Sequence, residues 1–254
     1  MLKFLLLRSF AIGTKMYNGK LGKNVLLTGA TGGIGRELAK KFVTLGYNIF
    51  LTSTNEESLS SLKENIRTAN SRVKIDYFPA FLNKEDEIDS LISSVRKSFK
   101  RIDILVNCAG IFEVNNLSEV TRESYKKSFD VNVMAPFILS QEFSKDMIKS
   151  KKGKIVNIGS SSAYAGFPAT SVYCSTKHAL LGLSRSLYEE LKPHNIKVYC
   201  FSPGSVQTEM GKNVPNQDYD TFIRSDELAD FIVSNVVKNS NMISQEVRIN
   251  RFKT

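Results

Sequence analysis

The chain has 254 residues and a formal net charge of +10, a size that suits one large α/β domain able to bury its own core without disulfides or metals. Its three cysteines, Cys108, Cys174 and Cys200, are odd in number and far apart, and with only His178 and His194 beside them they exclude a disulfide framework and a metal site, leaving reduced thiols. The basic balance does not mark a nucleic-acid partner, because the lysines are dispersed through segments that also carry acids and no basic run is interleaved with aromatics.

Residues Met1 to Lys15, MLKFLLLRSFAIGTK, are basic and apolar without an acid. Arg8 interrupts the apolar run and no clear small-residue cleavage site follows, so a secretory signal is a poor match, and the stretch is too short to span a membrane. The composition permits an organelle transit peptide, but Met16 stands just before the domain. The reading is an N-terminal extension over 1–20, a catalytic domain over 21–254, and a cytoplasmic location.

Asn24–Thr28 has the apolar pattern of a buried strand and runs into Gly29-Ala30-Thr31-Gly32-Gly33-Ile34-Gly35, after which Leu38, Ala39, Phe42 and Val43 recur at helical spacing. A glycine turn alone is a weak signal. Between this strand and this helix, its backbone N–H groups can approach a pyrophosphate at a helix N-terminus, which makes Gly29, Thr31, Gly32, Gly33, Ile34 and Gly35 candidate cofactor contacts. The second strand, Asn48–Thr52, leads to Ser53-Thr54-Asn55 and a helix from Glu56. An NAD-selective site usually places an acid at this strand end for the ribose 2′-hydroxyl. Here Ser53 and Thr54 stand instead, with Arg36 and the positive field as help, so a 2′-phosphate suits the site better and NADP(H) is preferred to NAD(H).

Further strands are expected at Val73–Phe78, Ile102–Val106, Gly153–Ser160, Ile196–Phe201 and Glu246–Arg251, with helices at Lys84–Phe99, Arg122–Ser150 and Ser171–Leu191 and another from near Asp226. The pattern is a doubly wound, Rossmann-like α/β domain with a mostly parallel seven-stranded sheet, and ligands in such folds bind at the strands' carboxyl ends. Ser160 falls at such an end. Tyr173-Cys174-Ser175-Thr176-Lys177 puts a tyrosine and a lysine on one helix face, where an ammonium favours the phenolate and lets the pair exchange a proton with an alcohol. Alone, that spacing is more readily a chance helical pair.

In company it means more. The glycine turn, Asn107-Cys108-Ala109-Gly110, Asn132, Ser160, Tyr173, Lys177 and Pro203-Gly204 follow the order and approximate spacing of the short-chain dehydrogenase/reductase family, which the chain resembles from about Lys23 to Arg251. The resemblance implies an oxidoreductase that moves hydride between a nicotinamide and a carbonyl carbon. Tyr173 would transfer the proton, Ser160 would bind the oxyanion, Lys177 would hold the nicotinamide ribose, and Asn132 would anchor a water beside Lys177. It adds Leu82, Asn107, Ala109, Gly110, Pro203, Gly204, Val206 and Thr208 to the cofactor contacts, Asn107 by supporting the central sheet. It also implies a small-molecule substrate and a homodimer or homotetramer paired through the two long helices.

There are departures. Phe81 stands where the family usually has an aspartate against the adenine, Cys108 replaces an asparagine, Gly32 occupies a position that is often basic in NADP-selective members, and the Asp-Gly-Gly tail of acyl-carrier-protein reductases is missing. A 3-oxoacyl thioester reductase stays open as an alternative, and so does a catalytically silent cofactor-sensing protein, although all four catalytic residue types are present.

Overall fold

A computed structural model describes residues 22–215 and 217–252, so the expected N-terminal extension lies outside the described residues. Short apolar runs form the strands β1 (Asn24–Thr28), β2 (Asn48–Ser53), β3 (Ile75–Pro79), β4 (Ile104–Asn107), β5 (Gly153–Ile158), β6 (Ile196–Pro203) and β7 (Glu246–Ile249). All are parallel, in the order β3-β2-β1-β4-β5-β6-β7. The helices are α1 (Gly33–Thr44), α2 (Glu56–Arg67), α3 (Glu85–Ser98), α4 (Arg122–Phe129), α5 (Ala135–Ser150), α6 (Ser171–Leu191) and α7 (Ser225–Val237).

A parallel sheet must be covered on both faces, and the strand residues divide accordingly. Val25 and Leu27 pack into one core with Phe42 of α1, Leu59 of α2 and Ile232 of α7. Leu26, between them, joins the opposite core with Leu91 of α3, Phe143 of α5 and Leu191 at the end of α6. The helices start where the sequence supplies a cap: Asn55 accepts the Ser58 N–H at 2.7 Å ahead of α2, and Thr121 accepts the Ser124 N–H at 3.1 Å ahead of α4.

Several boundaries differ from expectation. The helix expected over 122–150 is divided by a π-helical turn at Asp130–Met134, which carries Asn132. β5 stops at Ile158, and Ser160 caps the short 3₁₀ turn Ser161–Ala163 instead of ending the strand. β6 runs on to Pro203 because β7 pairs with Cys200–Pro203. β7 ends at Ile249, short of Arg251, whose guanidinium donates to Thr221 Oγ1 at 2.9 Å. β3 and β4 each begin two residues later than the apolar runs suggested, at Ile75 and Ile104.

Strand β7 also ties the domain together chemically. Glu246 accepts two hydrogen bonds from Arg185 of α6, at 2.8 and 2.9 Å, and a third from the Tyr164 hydroxyl at 2.9 Å. One carboxylate thus joins the helix carrying Tyr173 and Lys177 to the loop that follows Ser160. The Arg185 hydrogen bonds, helped by Tyr164, hold the Glu246 carboxyl below its ordinary 4.5. A carboxyl depressed by folding stabilises above its unfolded value, and that contribution is lost as pH falls through the lower folded value. The thermal midpoint of wild type should therefore exceed that of Glu246→Gln near neutrality, with the gap closing below about pH 4. A gap independent of pH would contradict the ion-pair account.

Candidate active site

The order of the sheet reverses between β1 and β4, and a crevice opens there at the strand carboxyl ends. Two local features shape it. Thr28 Oγ1, at the end of β1, accepts the backbone N–H groups of Cys108 at 3.0 Å and Ala109 at 3.1 Å, drawing the chain after β4 inward. Gly29 follows with φ of +64°, and a side-chain carbon there would lie 2.7 Å from the Ala109 backbone. Gly35 is equally constrained, since a Cβ would come within 2.1 Å of the Gly29 carbonyl oxygen and push α1 away from the turn.

The cleft has a volume of about 1160 Å³ and receives the N-terminus of α1, where the preceding Gly32 offers no side-chain cap. The first N–H groups of that helix therefore have no intrahelical acceptor and no capping oxygen, the arrangement that accepts a phosphate. Ser53 and Thr54 line the cleft from the end of β2, and the Ser53 hydroxyl is buried without a hydrogen-bond partner. Arg36, Lys127 and Lys177 are the cations of the described lining, against one carboxylate, Glu209, which is already paired with Lys212 at 2.7 Å. An uncapped helix end, an orphaned buried hydroxyl and a net positive wall fit a phosphorylated dinucleotide.

Ser160, Tyr173 and Lys177 line the same cleft. Lys177 is 4% exposed, and its ammonium donates to the Ile158 carbonyl at 2.9 Å and stands 5.6 Å from the Tyr173 ring centroid. Ser160 Oγ accepts the Ser162 N–H at 3.1 Å, which orients the hydroxyl at the lip of β5. Phe112, a residue the sequence reading passed over, meets the Tyr173 ring edge-on at 4.8 Å.

Two expected site residues stand behind the wall and do not line it. Asn107 is buried and donates to Asn157 Oδ1 at 2.8 Å, and Asn157 in turn donates to Ser184 of α6 at 2.8 Å, a link between the sheet and the helix of Tyr173. Asn132 grips both polar groups of Ile111, accepting its N–H at 2.8 Å and donating to its carbonyl at 2.9 Å, and donates to Thr176 Oγ1 at 3.0 Å. A side-chain carbon at Gly110 would lie 3.4 Å from Asn132 Oδ1 and 3.7 Å from Lys177 Nζ, so a single glycine stands against both the amide and the ammonium. The π turn carries Asn132, and such turns are often found at functional sites. The other expected contacts, Gly29, Thr31, Gly32, Gly33, Ile34, Gly35, Leu82, Ala109, Gly110, Pro203, Gly204, Val206 and Thr208, all line the cleft. Phe81 lines it too, half-exposed, while burial pushes the Cys108 thiol up to about 12 and keeps it neutral.

Residues 23–219 match the family model described as short chain dehydrogenase. The chain is 32% identical over 219 residues to the 3-oxoacyl-(acyl-carrier-protein) reductase FabG of Rickettsia felis, covering 86% of this chain and 87% of that protein. Among solved structures it resembles a metagenomic short-chain oxidoreductase in complex with NADP, with a TM-score of 0.80 and 28% identity over 91% of this chain and 98% of the other. It also resembles 4-hydroxyisoleucine dehydrogenase complexed with NADH, with a TM-score of 0.80, 27% identity and the same coverage.

Asn132→Ala would leave the half-buried Ile111 N–H and carbonyl without their partners. The expected loss of stability is about 1–3 kcal/mol in urea unfolding, with Thr176→Val costing less because it removes one bond of the three. Equal stability of Asn132→Ala and wild type would show that Ile111 is held by something else.

Proposed function

Because this chain belongs to the short-chain dehydrogenase/reductase family, oxidoreductases that work with a nicotinamide cofactor, we propose that it interconverts a carbonyl compound and a secondary alcohol, running as an NADPH-dependent reductase. The observation that carries the reading is the meeting of Ser160, Tyr173 and Lys177 with the uncapped N-terminus of α1 in a single cleft.

Bound there, the nicotinamide supplies or accepts the hydride. Gly33 and Ile34 offer backbone N–H groups to the pyrophosphate, and the Ser53 hydroxyl with Thr54 and Arg36 holds a 2′-phosphate. The Tyr173 hydroxyl donates its proton to the carbonyl oxygen in reduction and takes it back in oxidation. Ser160 donates a hydrogen bond to the same oxygen as charge gathers on it. The buried Lys177 ammonium, fixed by the Ile158 carbonyl, stands beside the Tyr173 ring and donates to the ribose hydroxyls. Asn132 acts behind Gly110, holding Ile111 in place and anchoring a water beside Lys177.

NADP(H) is preferred to NAD(H) because no carboxylate stands at the end of β2 and because the metagenomic relative binds NADP, while the NADH complex of the dehydrogenase relative keeps NAD(H) as the lesser cofactor. A second reading, reduction of 3-oxoacyl thioesters, draws on the Rickettsia felis relative. Tyr125, Met134 and Phe137 expose large apolar surface on α4, the π turn and α5, which favours pairing of subunits through these helices in a homodimer or homotetramer. No helix of the described residues is long and apolar enough to cross a membrane, and the three unpaired cysteines suit a reducing compartment such as the cytoplasm.

Tyr173→Phe should lower turnover at least about 100-fold while NADPH affinity stays within about twofold, because it removes the proton donor and little volume. Turnover within a few-fold of wild type would remove Tyr173 from the chemistry. Fluorescence titration should show tighter binding of NADPH than of NADH, and Ser53→Asp should reverse that order by setting a carboxylate against the 2′-phosphate. Unchanged selectivity in that variant would mean that the end of β2 does not read the ribose.

A further inference from the structure

We infer that the substrate is a carbonyl compound with an apolar body of ring size or longer, and that Phe112, Phe167 and Met210 read that body. The inference rests on the reductase reading of the cleft and deepens it. The cleft wall around Tyr173 is built from the segments after β4, β5 and β6. The first two are locked together where the Asn115 N–H donates to the Ala169 carbonyl at 2.8 Å, with Ala169 held at φ of +56°, a backbone region that non-glycine residues rarely adopt. Their shape is therefore set before any ligand arrives.

What these segments present is hydrocarbon. Phe112 packs edge-on against the Tyr173 ring, so a carbonyl reaching the Tyr173 hydroxyl brings its neighbouring atoms against Phe112. Phe167 and Met210 line the cleft yet are 47% and 41% exposed, and covering them with apolar ligand atoms recovers hydrophobic free energy that water withholds. Several polar side chains among them face the protein's own groups. Thr170 Oγ1 donates to the Phe167 carbonyl at 2.9 Å, Ser205 Oγ donates to Gln217 Oε1 at 3.0 Å, and the Tyr219 hydroxyl points to the Thr208 carbonyl at 3.5 Å. A polyol would surrender more hydration than the remaining Ser161 and Ser162 hydroxyls return. Glu209, the one charged lining residue of these segments, is paired with Lys212. Lys127 reaches the cleft from α4.

The test uses two probes, benzylacetone and fructose. Binding of each to the protein saturated with NADP⁺ is measured by calorimetry, and NADPH oxidation is followed in parallel. Benzylacetone should bind at least about tenfold more tightly than fructose. The double variant Phe167→Ala with Met210→Ala should weaken it by about tenfold or more while leaving NADPH affinity and the thermal midpoint as in wild type. Tighter binding of fructose would overturn the inference, and so would unchanged benzylacetone affinity in the double variant. Tight benzylacetone binding without NADPH oxidation would uphold recognition of an apolar body and sink the reductase reading. Preferential reduction of fructose would do the reverse.

Discussion

The site depends first on how closely two stretches of backbone approach each other where the strand order reverses. Thr28 pulls the chain after β4 inward through two N–H groups, and the space between the Gly29 and Ala109 backbones admits no side-chain carbon. That contact sets the depth of the crevice. It also points α1 at the crevice, because Gly35 must pass the Gly29 carbonyl without a Cβ. With the helix aimed and its first N–H groups uncapped, an anion has a place prepared by backbone alone.

A second constraint is the burial of a cation. Lys177 is almost fully covered, and a buried ammonium is tolerated only where acceptors and polarisable groups meet it. Ile158 supplies a carbonyl from the end of β5, and the Tyr173 ring stands 5.6 Å away. The elements around Lys177 are fixed by amides. Asn132 holds the chain after β4 to α6 by way of Thr176, and Asn157 joins the sheet to α6 by way of Ser184. Two Asn side chains thus hold α6, which carries Tyr173 and Lys177, in register with the strands whose ends form the wall, and Glu246 repeats the service from outside through Arg185.

Charge and hydrocarbon occupy different walls of the cleft. The cations Arg36 and Lys177 and the helix end suit a phosphorylated cofactor, and the overall charge of +10 adds a field of the same sign. The segments carrying Phe112, Phe167 and Met210 have no unpaired charge among their lining residues. A site that holds one ligand by charge and the other by shape and apolar area keeps the two recognition problems apart, so the substrate wall can vary without disturbing the cofactor.

Much of this was legible in the chain itself. Strand β1, the glycine turn and α1 were readable because buried strands and helix starts leave local signals, and α6 runs from Ser171 to Leu191 as its apolar spacing indicates. Tyr173 and Lys177 share a face by helical geometry alone, and the missing acid after β2 is a fact of composition. The π turn at Asp130–Met134 was not readable, since Asn132 within it is held by hydrogen bonds with the N–H and carbonyl of Ile111, 21 residues away. Nor was the placement of Asn107 and Asn132 behind the wall, the edge contact of Phe112 on Tyr173, or the grip of Glu246 on α6. Local spacing is written along the chain, so the sequence determined the elements, the glycine turn and the shared helix face of Tyr173 and Lys177. Contacts between distant segments depend on how strands are ordered and how closely they pack, so only the tertiary structure decided which side chains face the cleft and which hold it in place.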